Sequence, residues 1–570
     1  MRLPRKVNYC LLAAMVLITI IFRYPLGVEH EMGSDTTFIH TMANSISQDH
    51  QAKWILHPTS IFGLYALSYP SAAPFMLSSG YQVANISIEG MILILGLLFA
   101  IVGVLSAYLV SKQIKDDDIF AHSIALLFTL APFYIKDTTW VASSRGFVVA
   151  VLPIVLLFLI KHMKTKDARY LILSFSMFLV MGSLHRMGLL VVFIFVAYLL
   201  AIPLHAVTQR LRFSLIRFEK PLRYALVILA LIAFLTIFYI QFEFPGISGA
   251  NVVEQYERGL LLTGTSFPVL LVNMAISFVG RVGLLLPLAP IGLIAYIWKR
   301  PKESTDKFFL LITFVFLPLL SLRDYIIEFV IPVFVVFVVI GAIVVTSVLK
   351  KRKKIGMILL VSLIVVSAIF SWETKDRWRN TYVTDRPISY DVYNAALYVR
   401  YETWGTVATN AGLSGGRIAA ISGLPNMPLG GASMHFQSAQ QLIWDYVDGE
   451  NMQVRLLDLT KISFNTDEIY VPVGVRNAQF DWEVMLAYRD PIMAQNTMIM
   501  YNVYFIVTEN GIFPSYSSYG YKRFSCLFGD DGYVVGDPRK ICVDARNLAP
   551  DTRYVFFSNS EITLWLIRGG

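Results

Sequence analysis

Lys350-Lys351-Arg352-Lys353-Lys354 runs directly into Ile355-Gly356-Met357-Ile358-Leu359-Leu360-Val361-Ser362-Leu363-Ile364-Val365-Val366-Ser367-Ala368-Ile369-Phe370-Ser371, a block of cations followed by an uncharged, largely aliphatic run. An apolar run of roughly 17–25 residues is what a helix needs to cross a hydrocarbon core of about 30 Å. A dense basic cluster beside such a run marks its cytoplasmic end, because Lys and Arg are retained on that side during insertion. The stretch therefore reads as a membrane helix that starts in the cytoplasm at Lys354. It delivers Glu373 to Gly570 to the opposite side.

Ten further runs have the same character: Asn8 to Phe22, Ile86 to Val110, Ile119 to Ile135, Gly146 to Ile160, Tyr170 to Leu184, Met187 to Leu204, Leu222 to Phe242, Gly283 to Trp298, Phe308 to Leu322 and Ile326 to Leu349. The expectation is a polytopic α-helical membrane protein of about eleven spans. Composition agrees: in 570 residues, 56% are hydrophobic and 15% charged, whereas a soluble domain carries about 25% charged residues. The first run follows Arg2, Arg5 and Lys6 and leads into Arg23-Tyr24-Pro25 with no small-residue cleavage site, so it reads as a retained helix with a cytoplasmic N-terminus. Leu260 to Val279 is apolar but interrupted by Gly264 and Pro268. A crossing there would put the Lys350 cluster outside, so it reads as re-entrant or surface-lying.

The net charge of +9 belongs to the membrane part, where basic residues concentrate in every second loop; after Trp372 acidic residues outnumber basic ones. This pattern is a topology signal and supplies no footprint for nucleic acid. Two domains are expected: residues 1–372 in the membrane, with a long first outer loop over 23–85, and residues 373–570 as an extracytoplasmic soluble domain. Helical periodicity at Tyr390 to Tyr401 and β-rich runs at Val503 to Val507 and Tyr554 to Phe557 predict an α/β or α+β domain. Cys526 and Cys542 lie close together there, and either a disulfide or two buried thiols fits.

Candidate chemistry gathers in the outer loops. The first contains Glu29, His30, Glu31, Asp35, Asp49 and His57. Phe38, Ile39, Met42, Ala43 and Ile46 follow Asp35 at helical spacing, predicting an amphipathic helix along the membrane surface with Asp35 at its N-terminus. Asp35 is then either an ordinary N-cap or a carboxylate kept ionised by the helix dipole for use as a base or metal ligand. Asp137, in the short second loop with Trp140, is either a solvated loop carboxylate paired with Lys136 or a second ligand or catalytic group. Arg186 beside His185, Arg281, and Arg323 beside Asp324 stand at headgroup depth, where a guanidinium either snorkels or grips phosphate oxygens. Glu254 and Glu257 fall on a possible lid and are further metal-ligand candidates. Gly412-Leu413-Ser414-Gly415-Gly416 matches no phosphate-loop pattern.

The first-loop aspartate, the second acidic loop, the late outer-face arginine and the outer C-terminal domain together resemble the GT-C superfamily of membrane glycosyltransferases, most nearly the oligosaccharyltransferase catalytic subunit and its archaeal relatives. The resemblance covers the architecture from Met1 to Trp372. It implies that Asp35 and Asp137 are catalytic or metal-binding and that Arg323 contacts the lipid phosphate. It further implies a polyprenyl or dolichyl phosphate or diphosphate sugar donor, a divalent Mg or Mn ion, and a protein, lipid or glycan acceptor. Departures are the smaller number of helices, a lone Asp137 in place of a D-x-D-like loop, and Trp444-Asp445-Tyr446-Val447-Asp448-Gly449 in place of W-W-D-Y-G, so sequon recognition is not expected. A transporter or flippase would need polar groups at mid-membrane, and few spans offer any. A membrane scaffold with an outer binding domain is the remaining alternative.

Overall fold

The computed structural model describes residues 2–49, 64–66, 69–70, 72–210, 304–319, 352–381, 387–402, 406–409, 417–418, 420–423, 426–428, 503–509, 554–558 and 562–566. Along these the helices are α1 (Arg5–Arg23), α2 (Ser34–Asp49), α3 (Ala72–Ala84), α4 (Ile88–Ile114), α5 (Asp118–Thr129), α6 (Pro132–Lys136), α7 (Ser144–Thr165), α8 (Ala168–Leu184), α9 (Val192–Arg210), α10 (Ser304–Leu319), α11 (Lys353–Thr381) and α12 (Tyr390–Glu402). The chain forms two compact units. Met1–Tyr24, Leu95–Thr139 and Ser143–Trp378 make a helical unit, and Pro25–Ile94, Trp140–Ala142 and Arg379–Gly570 make a mixed one.

Five described stretches are long and apolar enough to cross a membrane: Arg5–Arg23, Ile88–Ile114, Ser144–Thr165, Met187–Val207 and Lys354–Asp376. Within the helical unit α7 is central, with 78% of its apolar window buried, against 11% for α1 and 22% for the span in α11. The exposed faces of those two carry Leu11, Leu17, Ile358 and Ile369, as lipid-facing surfaces require. The expected spans Leu222 to Phe242, Gly283 to Trp298 and Ile326 to Leu349 lie outside the described residues.

Small residues let these helices approach closely, as membrane packing demands. On α4, Gly96, Ala100, Gly103 and Ala107 recur at helical spacing. A Cβ on Gly96 would stand 3.0 Å from the Thr138 carbonyl oxygen, and one on Gly103 would stand 3.3 Å from Ala150 Cα. Tyr134 fills the space beside Gly103, and its hydroxyl donates to the Phe99 carbonyl at 3.0 Å.

Ile119 to Ile135 is two helices and not the single expected span. Pro132 opens α6, and Ala131 before it is extended at φ −62°, ψ 123°, because a proline ring excludes the helical conformation from the residue it follows. The break frees carbonyls at the end of α5 that membrane cannot hydrate. Arg23 Nη2 donates to Thr129 O at 3.0 Å and Ser371 Oγ donates to Leu130 O.

At the opposite end of α4, Asp116, Asp117 and Asp118 are matched by Arg2, Lys112 and Lys115. Hydrogen bonds from Lys112 and Arg2 hold the exposed Asp116 carboxyl down to about 2. Whatever stability this pairing contributes is present above the ordinary carboxylate range and is lost only as pH falls through that lower value.

In the mixed unit, strands β3 (Thr406–Thr409), β4 (Asn426–Pro428), β5 (Val503–Glu509), β6 (Tyr554–Ser558) and β7 (Ile562–Leu566) form a sheet of order β4-β3-β5-β7-β6, after a short hairpin β1 (Leu64–Ala66) and β2 (Tyr69–Pro70). The β4–β3 and β3–β5 pairs are parallel, and the β5–β7 and β7–β6 pairs antiparallel. The runs at Val503 and Tyr554 are thus strands, and Tyr390 to Tyr401 is helix α12, as their patterns predict. The last membrane helix does not stop at Trp372: α11 continues to Thr381.

The spacing after Asp35 also gives a helix, with Ile39, Met42, Ala43 and Ile46 nearly inaccessible. That apolar face is covered by protein, whereas the sequence suggested a membrane surface. Ser47 Oγ meets Ser78 Oγ of α3 at 2.8 Å, while Asn44 Nδ2 donates to Ala420 O and Gln48 Nε2 to Gly423 O. The long first loop is thereby built into the same unit as segments more than 370 residues away.

Candidate functional site

Asp35 lies one residue inside α2, which begins at Ser34, so it occupies the first turn and is not the residue preceding the helix. Gly33 makes this entry possible. Its φ of +87° is a left-handed conformation, and a Cβ there would come within 3.3 Å of Val141 Cγ1. Asp35 is partly exposed. The first turn of a helix, with its free amides and the positive end of the dipole, is a favourable place for an anionic group. Buried Thr36 and Thr37 follow it and donate back to Met32 O and Gly33 O.

Next to this turn is a cluster that sequence reading did not assemble. Both carboxylate oxygens of Glu31 lie 2.9 Å from His40 Nδ1, and the two side chains are only 1% and 6% exposed. His30 Nδ1 meets Glu89 Oε1 at 3.2 Å, and the same oxygen accepts from Glu31 N at 3.1 Å. The His30 ring stacks on Tyr393 with centroids 3.5 Å apart. Burial, with Glu89 and Glu31 nearby, raises the Tyr393 hydroxyl pKa. Glu31 O accepts from Ile388 N at 3.1 Å, beside an antiparallel bridge from Met32 to Pro387. His30 and Glu31 were visible as polar residues of the first outer loop; His40 sits among the buried positions of α2, and only its spacing from Glu31 could have flagged it.

Asp137 belongs to the helical unit, where it closes α6 as its C-cap. At 5% exposure it is not the solvated loop carboxylate that one sequence reading allowed. Thr138, Thr139, Ser143 and Ser144 around it are equally inaccessible. Arg23 fixes this loop: its fully buried guanidinium donates through Nε to Thr138 Oγ1 at 2.7 Å and lies 4.7 Å over the Tyr134 ring. From the sequence Arg23 was only the residue that ended the first apolar run.

Gly146 sets the approach of α7 to Asp137. A Cβ there would stand 2.4 Å from the Asp137 carbonyl oxygen and 3.0 Å from its carbon. Backbone cannot swing aside as a flexible side chain can, so Gly146→Ala is expected to displace the loop and cost about 1–3 kcal/mol of stability. Thermal melting of the detergent-purified variant checks this, and an unchanged midpoint would contradict the close approach.

His185 is buried and caps the 3-10 turn at Arg186–Val191, its Nδ1 accepting from Met187 N at 3.1 Å. Arg186 opens that turn. Asp35 falls in one unit and Asp137, His185 and Arg186 in the other. Arg281, Arg323, Glu254, Glu257, Cys526 and Cys542 lie outside the described residues. Among the described residues, no group of three or more His, Cys, Asp or Glu side chains is placed to hold a metal ion.

No family model and no curated protein matches the sequence. Solved structures do match the fold. The apo oligosaccharyltransferase of Archaeoglobus fulgidus superposes with a TM-score of 0.52 at 11% identity, over 89% of this chain and 70% of that one. The same enzyme with Zn and sulfate gives 0.51 at 13% identity, over 88% and 68%. ArnT from Cupriavidus metallidurans bound to undecaprenyl phosphate gives 0.51 at 9% identity, over 98% of this chain and 97% of that one. The likeness is one of fold, shared with the structures of both enzymes.

Proposed function

We propose that this protein is a membrane glycosyltransferase that moves a sugar or glycan from a polyprenyl or dolichyl phosphate or diphosphate to an acceptor on the outer face of the membrane. The observation that carries the reading is likeness to ArnT over nearly the whole of both chains, in a structure that holds undecaprenyl phosphate. In this reading the chain has about eleven spans in the cytoplasmic membrane, with its N-terminus in the cytoplasm and its C-terminal domain outside. A lipid-linked donor suits that sidedness, because nucleotide sugars remain in the cytoplasm.

The transfer is a single inverting displacement. Asp35 accepts the acceptor's proton as the acceptor atom bonds to the anomeric carbon, and the bond from that carbon to the phosphate oxygen breaks. Arg186, His185, Arg281 and Arg323 are assigned to the phosphate, whose charge grows as it leaves, and Asp137 to the acceptor side. A divalent ion held by Asp35, Asp137 and Glu254 or Glu257 belongs to the GT-C expectation. The described residues do not assemble such a ligand set, so no step is routed through it.

The test is to incubate the purified protein with undecaprenyl phosphate- and diphosphate-linked sugars and candidate protein, lipid and glycan acceptors. Released undecaprenyl phosphate or diphosphate, with a matching glycosylated product, is the expected result. Movement of intact donor across vesicles without cleavage would replace the reading with a flippase.

A further inference from the structure

We propose that Thr36 and Trp140 are positioning residues that hold the turn carrying Asp35, an inference that rests on Asp35 being the acceptor's base. Trp140 has a φ of +48°, in the left-handed region that a bulky residue enters only under constraint. Such a conformation persists where neighbours over-determine it, and functional sites are where such residues collect. Here the Trp140 carbonyl accepts from Met32 N at 3.1 Å, and its indole Nε1 donates to the Glu89 carbonyl at 3.1 Å. Two residues on, Ala142 N donates to Thr36 Oγ1 at 2.9 Å, and the same hydroxyl donates to Met32 O at 2.5 Å.

Between these bonds Val141 lies against Gly33 so closely that a Cβ on the glycine would contact it at 3.3 Å. Residues 32, 33 and 36 are thus each fastened to one of residues 140, 141 and 142, and Asp35 lies inside the bracket. All belong to one compact unit. A general base works only within hydrogen-bond reach of the proton it takes, and a misplacement of about 1 Å costs about 10²-fold. The threonine hydroxyl is the one side-chain link in the bracket that both gives and receives, so its loss loosens both ends together.

The test uses the full-length protein in detergent with an undecaprenyl phosphate-linked sugar that it turns over, comparing Thr36→Val, Thr36→Ser, Trp140→Phe, Asp35→Asn and Asp35→Asn with Thr36→Val. Thr36→Val is expected to lower kcat about tenfold to 10²-fold, with the donor KM within about twofold, and Thr36→Ser to restore it. In the Asp35→Asn background the same change should cost less than about twofold, because a residue acting through Asp35 has nothing left to position. Hydrogen exchange at residues 32–42 and at the Ala142 amide should quicken in Thr36→Val and return to the parent rate in Thr36→Ser.

Wild-type kcat in Thr36→Val, beside an inactive Asp35→Asn, overturns this inference alone. An equal loss in both backgrounds does the same. Full activity of Asp35→Asn removes the parent reading, and the positioning role with it. If Thr36→Val does not fold, Trp140→Phe carries the comparison, since it keeps an aromatic ring while removing the indole N–H that bonds Glu89.

Discussion

Asp35→Asn is expected to slow sugar transfer by about 10²–10⁴-fold with little change in folding. The substitution keeps the shape of the side chain and an oxygen that accepts hydrogen bonds from helix-start amides, while removing the negative charge and the basicity. Asp35 is partly exposed in the first turn of α2, so the lost interaction with the helix dipole is worth about 0.3–1 kcal/mol. A stability effect that small cannot produce a rate loss of several kcal/mol, so the two are separable. Undecaprenyl phosphate release and thermal melting, measured on the same preparation, decide the matter. A rate within about twofold of the parent would remove Asp35 from the reaction.

Glu31→Ala is expected to have the largest effect on stability. The Glu31 carboxylate and the His40 imidazole are buried together, with both oxygens 2.9 Å from Nδ1. Removing one member of a buried ion pair costs about 3–5 kcal/mol. Leaving a buried ring nitrogen without its hydrogen-bond partner costs about 1–3 kcal/mol. The expected loss is about 3 kcal/mol, where the two ranges meet. A cycle of Glu31→Ala, His40→Ala and the double variant, read by thermal melting, tests it: the double variant should be less destabilised than the sum of the singles. Strict additivity would mean that the pair does not couple.

Each prediction turns on a feature of different visibility. The helix start at Asp35 was readable because a carboxylate followed by apolar residues at i+4, i+7, i+8 and i+11 is a pattern within one helix. The same pattern gave the buried face of α2 and misassigned what covers it, since periodicity says that a face is apolar and is silent on whether lipid or protein meets it. The apolar run Ile119 to Ile135 was read as one span although Pro132 interrupts it; the break stands because Arg23 and Ser371 satisfy the carbonyls it frees. Trp140 was visible only as a member of the short second loop, and nothing local announced its left-handed backbone.

From the sequence alone came the membrane as solvent, the first apolar helix, the alternation of basic loops, the strands at Val503 and Tyr554, and the helix start at Asp35. Those properties depend on residues a few positions apart, where hydropathy, charge and repeat spacing act. Tertiary structure decided which polar groups are buried and what they touch: Arg23 on Thr138, Glu31 on His40, Ala142 N on Thr36. Two of these pairings join residues more than 100 apart. Burial of a polar group is tolerable only when it has a partner, and where that partner is remote no one-dimensional pattern specifies its arrival.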